Sequence, residues 1–243
     1  MAGRSVKAEA VVLRSFRFAE ADRILHLLTR EHGRVGAICK GVRRTRSRFG
    51  GRLEPFSRVE LVLHAGRGEL ATVTGAATVA SSEEVRTDPY RLAVATVGVE
   101  TVTKLFPEQH PNARLYDGLV RFLEVVATLP TPAPAVPAQD PLALAFGLKL
   151  LALAGWAPRI DACASCVGAG PLVRYDAASG GAVCAACGGG FPVAPDTLTT
   201  MVALLQAPLG VEDGTTGAAG RQIQRALAES YAHHGGVQLR SYR

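Results

Sequence analysis

No stretch of this 243-residue chain reaches about 18 uninterrupted apolar residues, so no membrane-spanning helix is expected. The amino terminus lacks the apolar core of a secretion signal, because Arg4, Lys7, Glu9, Arg14 and Arg17 interrupt it. A cytoplasmic protein follows as the expectation. Lysine is scarce, at 4 residues against 23 arginines, which fits a compositional bias better than a mechanism. The common catalytic signatures are missing too. There is no GxxxxGK[ST] and no Gly-Lys dipeptide, which argues against a P-loop. There is no HExxH and no GxSxG, and no HxE accompanies the cysteine pairs as a zinc deaminase would require. Gly66-Arg67-Gly68 is too short for a dinucleotide fingerprint. Together these absences lower the expectation of an enzyme.

What is present divides unevenly. Hydrophobic content of 48% is enough for real cores, and the length allows one large domain or two to three small ones. The net charge is +6, but residues 1–80 hold 15 Lys/Arg against 7 Asp/Glu, while residues 81–243 hold 12 against 14. A basic amino-terminal module is therefore joined to a near-neutral remainder, which points to a localised polyanion site.

The charge is densest in 40–52, KGVRRTRSRFGGR. Lys40, Arg43, Arg44, Arg46, Arg48 and Arg52 are its cations, and it contains no acid. Gly41, Gly50 and Gly51 punctuate it, and no apolar period of 2 or 3.6 runs through it, so it is expected to be an exposed loop. Arg forks match phosphate oxygens in bidentate fashion, which makes the stretch a candidate clamp for nucleic acid rather than a merely solvated loop. Phe49, inside it, is the candidate base-stacking side chain. Phe56, after Pro55, reads as core, and Phe16 and Phe18 fit either role.

Around this loop the pattern predicts five short strands. They cover Lys7–Phe16, Arg23–Thr29, Arg34–Cys39, Ser57–His64 and Glu69–Ala77. Glu31-His32-Gly33 reads as a turn with Gly33 at positive φ. In the fourth strand Val59, Leu61 and Leu63 alternate with Glu60, Val62 and His64. Five strands in about eighty residues suit a small closed barrel, either the OB fold, which also binds single strands, or an SH3-like barrel. Cys39, alone beside Ile38, reads as a buried structural thiol.

Helices dominate the remainder. Asp88-Pro89 opens one, with Tyr90, Val94, Val97, Thr101 and Leu105 along a face and Pro107 ending it. Leu115, Leu119, Phe122 and Val126 mark a second, amphipathic one. Leu129–Pro141 has five prolines and reads as an irregular linker. Leu142–Leu153, charged only at Lys149, reads as the buried centre of a bundle, stopped by Gly155 and Pro158. Pro195-Asp196-Thr197 opens a helix with Leu198, Met201, Val202 and Leu205 inside. A last helix spans Arg221–Tyr231, and His233-His234 at its end reads as a solvated helix terminus.

Between these helices lie Cys163-Ala-Ser-Cys166 and, after seventeen residues, Cys184-Ala-Ala-Cys187. Close pairs of this kind in a reducing compartment favour metal over disulfides. Each knuckle aims two thiolates at one point, and a hairpin turning at Ser179-Gly180-Gly181 brings the pairs together. Four thiolates leave no open position, so one structural Zn²⁺ is expected, held by Cys163, Cys166, Cys184 and Cys187. The expected architecture is α+β and multidomain. An OB-fold barrel over 1–80 binds nucleic acid, and a helical domain over 81–243 carries an inserted zinc ribbon at about 160–192.

The chain also resembles a known family, the bacterial recombination mediator RecO. The amino-terminal likeness runs through Val11-Val12-Leu13, Glu20, Asp22, Ile24-Leu25, Leu28-Thr29, Gly33, Gly41-Val-Arg-Arg44, Ser47-Arg48 and Leu53-Glu-Pro-Phe56. The carboxyl-terminal likeness runs through Leu150-Leu151, Gly155-Trp156, Pro158 and the four paired cysteines. The resemblance implies an OB domain, a helical domain with a zinc ribbon, and binding of single- and double-stranded DNA. It further implies ATP-independent annealing, and loading of RecA with RecR onto DNA coated by single-stranded DNA-binding protein (SSB). The SSB carboxyl-terminal tail is an implied partner, in a cytoplasmic, nucleoid-associated setting. Two other readings stay open: a metal-dependent nucleic-acid-processing enzyme, which would need an acidic metal cluster near the basic face, where Glu54, Glu60 and Glu69 are the only late acids of the first module and Glu60 and Glu69 fall on separate strands, and a protein–protein adaptor of the repair machinery.

Overall fold

Alternating apolar residues drive the amino-terminal strands to bury one face, and closing the sheet on itself is how a small module does so. In the computed structural model, five strands form that closed barrel: β1 (Ser5–Phe18), β2 (Asp22–Thr29), β3 (Gly33–Cys39), β4 (Arg58–His64) and β5 (Ala71–Ala80). The structure describes all residues except 1–4, 43–46, 48, 66, 67, 69, 132–135, 212–216 and 243. The barrel order is β1-β2-β3-β5-β4, with β3 and β5 parallel and the other pairs antiparallel. This is the OB topology, and it decides against the SH3-like alternative. Ala10, Val12, Leu25, Leu27, Ala37, Cys39, Val59, Leu61 and Val73 fill the interior. Cys39 is fully buried, as expected of a structural thiol.

Register shifts in β1 at Val12/Arg14 and in β4–β5 bend the strands enough to close the barrel. Gly33, at φ +66°, turns β2 into β3. A β-carbon there would lie 2.4 Å from the His110 carbonyl oxygen, so the close approach itself requires glycine.

The chain divides into two compact units, and the division does not follow a single cut. The first comprises Met1–Leu92 and Pro107–Ala127, the second Ala93–Phe106 and Thr128–Arg243. In the first, a short helix α1 (Glu83–Thr87) follows the barrel. Helix α2 (Pro89–Leu105) starts at Asp88, whose Oδ1 accepts from the backbone N–H of Tyr90 and Arg91, both at 2.9 Å. Helix α3 (Ala113–Val126) is capped by Asn112 and buries Leu115, Leu119, Phe122 and Val126 as the period predicts. It belongs to the barrel unit: the Tyr116 hydroxyl donates to Glu9 of β1 at 2.9 Å, and Arg30 pairs with Asp117.

In the second unit, α4 (Pro141–Leu153), α5 (Pro195–Gln206) and α6 (Gly217–Gly235) pack on one another. Helix α4 is buried nearly all round. Its one charge, Lys149, donates to the Leu205 carbonyl at 2.7 Å, satisfying an acceptor near the end of α5. Gly155, at φ +86°, closes α4 with paired bonds from Gly155 to Ala152 and from Trp156 to Leu151. Asp140 is 6% exposed, and its carboxylate accepts from Leu142 N–H at 2.9 Å. Asp140→Ala should cost about 1–2 kcal/mol by removing this cap, whereas Asp140→Asn should cost less. Urea unfolding followed through Trp156, the only tryptophan, checks this.

A small sheet interrupts the helices: β6 (Leu172–Asp176), β7 (Gly181–Cys184) and β8 (Phe191–Pro192), in the order β7-β6-β8. Tyr175 and Phe191 leave this sheet for the helical core, where they join Leu148, Met201, Ile223 and Leu227. The Tyr175 hydroxyl bonds Ser230 of α6 at 2.8 Å. The ribbon is thus fused to the bundle rather than appended to it.

Candidate nucleic-acid interface and metal centre

The register of the barrel sorts its side chains. Leu25, Leu27, Ala37 and Cys39 point inward, so Ile24, His26, Gly36 and Ile38 lie on the exterior of β2 and β3. Opposite them on β1, Arg14 pairs with His26, Phe16 with Ile24 and Phe18 with Asp22. Lys40, two residues past Ile38, continues the same row just beyond the strand. One exterior face therefore collects Arg14, Phe16, Phe18, His26 and Lys40. Strands 2 and 3 of an OB barrel are also the surface on which such folds receive oligonucleotides.

The charges on this face are available. Arg14 and Lys40 are exposed, and among the described residues they enter no ion pair; Arg17, also exposed, stands opposite Arg23 in the strand register, on the other side of β1. Arg23 and Arg34 are committed instead, to Glu54 at 2.9 Å and to Glu108 at 3.2 Å. The Phe16 ring meets the His26 ring edge-on at 5.3 Å. Burial pulls the His26 pKa below the ordinary imidazole value; Glu108 opposes that, while Arg34 and Arg14 reinforce it. The imidazole is thus predominantly neutral at pH 7.

The basic segment is tied down at both ends. Gly41 N–H donates to Asp22 Oδ1 at 2.8 Å, which fixes its start against β2. Arg43, Arg44, Arg46 and Arg48 lie outside the described residues. At the far end a 3-10 turn, Gly50–Leu53, leaves Arg52 exposed and turns Leu53 into the barrel. Phe49 requires a correction to the sequence expectation. It is 2% exposed and belongs to the barrel core with Leu53 and Val42, so its ring is closed to a stacking base. An apolar ring at the barrel end gains more from burial than from water. Phe56 is core as expected, at 5% exposure, whereas Phe16 and Phe18 are open at 44% and 47%. The alternation of β1 was the signal that could have put Phe16 and Phe18 outside, had the bulge after Val12 been legible.

In the second unit, the ligand atoms of Cys163, Cys166, Cys184 and Cys187 all lie within 4.8 Å of one another. The Cys166 and Cys184 sulfurs are 3.9 Å apart. Tetrahedral coordination with metal–sulfur bonds near 2.3 Å requires sulfurs about 3.8 Å apart, so the set fits a four-thiolate ion. Both knuckles share one backbone shape. The residue after the second cysteine takes positive φ in each, Val167 at +61° and Gly188 at +65°. Backbone N–H groups of Cys166, then Cys184, pull the Cys163 thiol down to about 6, preparing a thiolate. Side-chain hydrogen bonds with the neighbouring sulfurs, Cys166 first and then Cys184 and Cys163, hold the Cys187 thiol protonated and push its pKa up. Arg174 is not available to a ligand from this ribbon: it donates to the Gly190 carbonyl at 2.7 Å. His233 and His234 stand apart from the cluster. His234 stacks on Trp156 at 5.7 Å, and burial lowers its pKa.

Comparison with known proteins covers the whole chain. Residues 1–82 match the family described as "Recombination protein O N terminal", and residues 86–243 match "Recombination protein O C terminal". A protein of Anaeromyxobacter sp. (strain K) named "DNA repair protein RecO" is 37% identical over 98% of this chain and 94% of its own length. One of the same name from Rubrobacter xylanophilus is 38% identical over 94% of this chain and 90% of its own. Among the described residues, no helix is long and apolar enough to cross a membrane.

Proposed function

Because the chain belongs to the RecO family of DNA repair proteins, we propose that it is a recombination mediator, a binding protein rather than an enzyme. In this reading it holds single- and double-stranded DNA, anneals complementary strands without ATP and, with RecR, helps load RecA onto strands coated by SSB. The carboxyl-terminal tail of SSB is a partner, and the protein works in the cytoplasm at the nucleoid. The observation that carries the reading is the exterior barrel face, where uncommitted Arg14 and Lys40 lead into the arginine-rich segment.

Phosphates of one strand settle on these cations, and Arg43, Arg44, Arg46, Arg48 and Arg52 extend the contact. Neutralising phosphates lowers the repulsion a second strand meets as it approaches. Base pairing then supplies the free energy of annealing, so no nucleotide is needed. The barrel, residues 1–80, is the DNA-binding domain in this scheme. Cys163, Cys166, Cys184 and Cys187 would hold one structural Zn²⁺, which closes the ribbon and takes no part in chemistry.

Annealing of two labelled complementary oligonucleotides, without ATP or added magnesium, tests the reading over a salt series. With about five phosphates engaged on a single strand, log Kobs should fall against log[salt] with a slope of roughly −3.5. Replacing Arg43, Arg44, Arg46 and Arg48 together by Ala should weaken binding alike on all sequences and flatten that slope. Unchanged affinity in the variant would remove the segment from the interface. Magnesium-dependent cleavage of the strands would instead favour an enzyme.

A further inference from the structure

Two phenylalanines on the barrel exterior are open to solvent. Phe16 and Phe18 stand 44% and 47% open near the end of β1, on the face that also carries Arg14, His26 and Lys40. Burying either ring would be favourable by about 1.5–3 kcal/mol, so keeping both in water is costly to the fold. The surface beside them is shaped. His26 supports the Phe16 ring edge-on at 5.3 Å. Across β3 the position opposite His26 is Gly36. The Leu70 side chain lies over Gly36, its Cδ2 only 2.6 Å from where a β-carbon on Gly36 would stand.

We propose that Phe16 and Phe18 are the base-stacking platform of this face, and that they make it selective for unpaired strands. The proposal rests on the DNA-binding reading above and adds to it the residues that distinguish single strands from duplex. Residues two apart on a strand are separated by about 6.8 Å. That is twice the roughly 3.4 Å rise between stacked nucleotides of one strand in a duplex. A strand stretched to double its duplex rise places successive bases on successive rings. A duplex cannot do this, because its bases are paired, stacked at half that spacing and turned inward. Its phosphates can still reach Arg14 and Lys40. Cations thus serve both forms of DNA, and the two rings serve only one. The His26 ring backs Phe16 edge-on at 5.3 Å.

The test is equilibrium binding of the full-length protein to a fluorescent oligothymidine and to a blunt hairpin duplex of matched charge. Phe16→Ala and Phe18→Ala should each weaken oligothymidine binding roughly tenfold, and the double variant more. Duplex affinity should change no more than about twofold. Phe16→Trp should restore or exceed the original single-strand affinity. Since both rings are already exposed, melting temperatures should be unaltered, which separates lost stacking from lost fold. Equal weakening on both DNAs would overturn the proposal, as would single-strand binding that is indifferent to both rings. If the unaltered protein binds neither DNA, the DNA-binding reading falls first and the platform with it.

Discussion

Cys184→Ser, or prolonged treatment of the loaded protein with a strong chelator, should lower the stability of the helical unit by on the order of 5 kcal/mol or more. The ribbon has little else to hold it. Its own apolar cluster is Cys163, Val183 and Cys184, flanked by Ala164 and Leu172. So small a core cannot offset the entropy of ordering about thirty residues at roughly 1–2 kcal/mol each. The loss would spread, because Tyr175 and Phe191 of the ribbon sheet are part of the bundle core. Trp156, stacked on His234 at the end of α4, reports that core, so its emission should shift to longer wavelength as cooperative melting fades. The sensitivity to acid has a definite sign. A thiol depressed in the folded state contributes stability above its ordinary value, and the contribution is lost as pH falls through about 6 for Cys163. Bound metal should hold the thiolates to lower pH and then leave as acid rises, since each ligand thiolate competes with a proton. A variant that melts like the parent, with metal content unchanged, would remove the cluster from the fold's support.

Glu100→Ala should destabilise the same unit by about 2–4 kcal/mol. Glu100 lies on α2 and is only 4% exposed. Its two carboxylate oxygens accept from Arg240 N–H at 2.8 Å and from Ser241 N–H at 3.0 Å. Those donors open a short 3-10 turn, Arg240–Tyr242, and have no partner within it. Next to them Leu239 is buried in the bundle core, and Gln224 of α6 donates to the Tyr242 carbonyl at 3.2 Å. Removing the carboxylate orphans two backbone donors and loosens the packing of Leu239 and Tyr242. Glu100→Gln keeps one good acceptor and should cost about half as much. Urea unfolding followed through Trp156 gives the size of the effect, and limited proteolysis should show cleavage after Arg240 appearing first in the Ala variant. Equal resistance of the two chains would mean the turn is held by its apolar contacts alone.

The strands, the turn at Gly33 and the positions of α3, α4 and the ribbon were legible because each is local. Alternation in β4 or the i, i+4, i+7 spacing of Leu115, Leu119 and Phe122 is decided within a dozen residues. The cysteine cluster was legible for a similar reason, since two knuckles and one hairpin bring four sulfurs together whatever surrounds them. Phe49 was misjudged because its neighbours in sequence are cations, while its neighbours in space are Leu53 and the barrel interior. Glu100 gave no sign of its role, as the N–H groups it serves lie about 140 residues away. Nor did the sequence show that α3 joins the barrel unit, which depends on Glu9 and Arg30 meeting Tyr116 and Asp117 across the fold.

Hydrophobic period, glycine placement and cysteine spacing thus determined, by themselves, a five-stranded barrel, a helical partner and a four-sulfur site. The same is true of the concentration of positive charge in the first eighty residues. Only the tertiary structure decided which strands neighbour each other, and hence that the barrel has OB topology. It also decided that Phe49 is interior while Phe16 and Phe18 are exterior, and that Arg34 is spent on Glu108 while Arg14 and Lys40 are not. The reason is physical. Local patterns set which groups seek burial or water, but the residue that satisfies each one is fixed by closure of the chain, through contacts that sequence distance does not reveal.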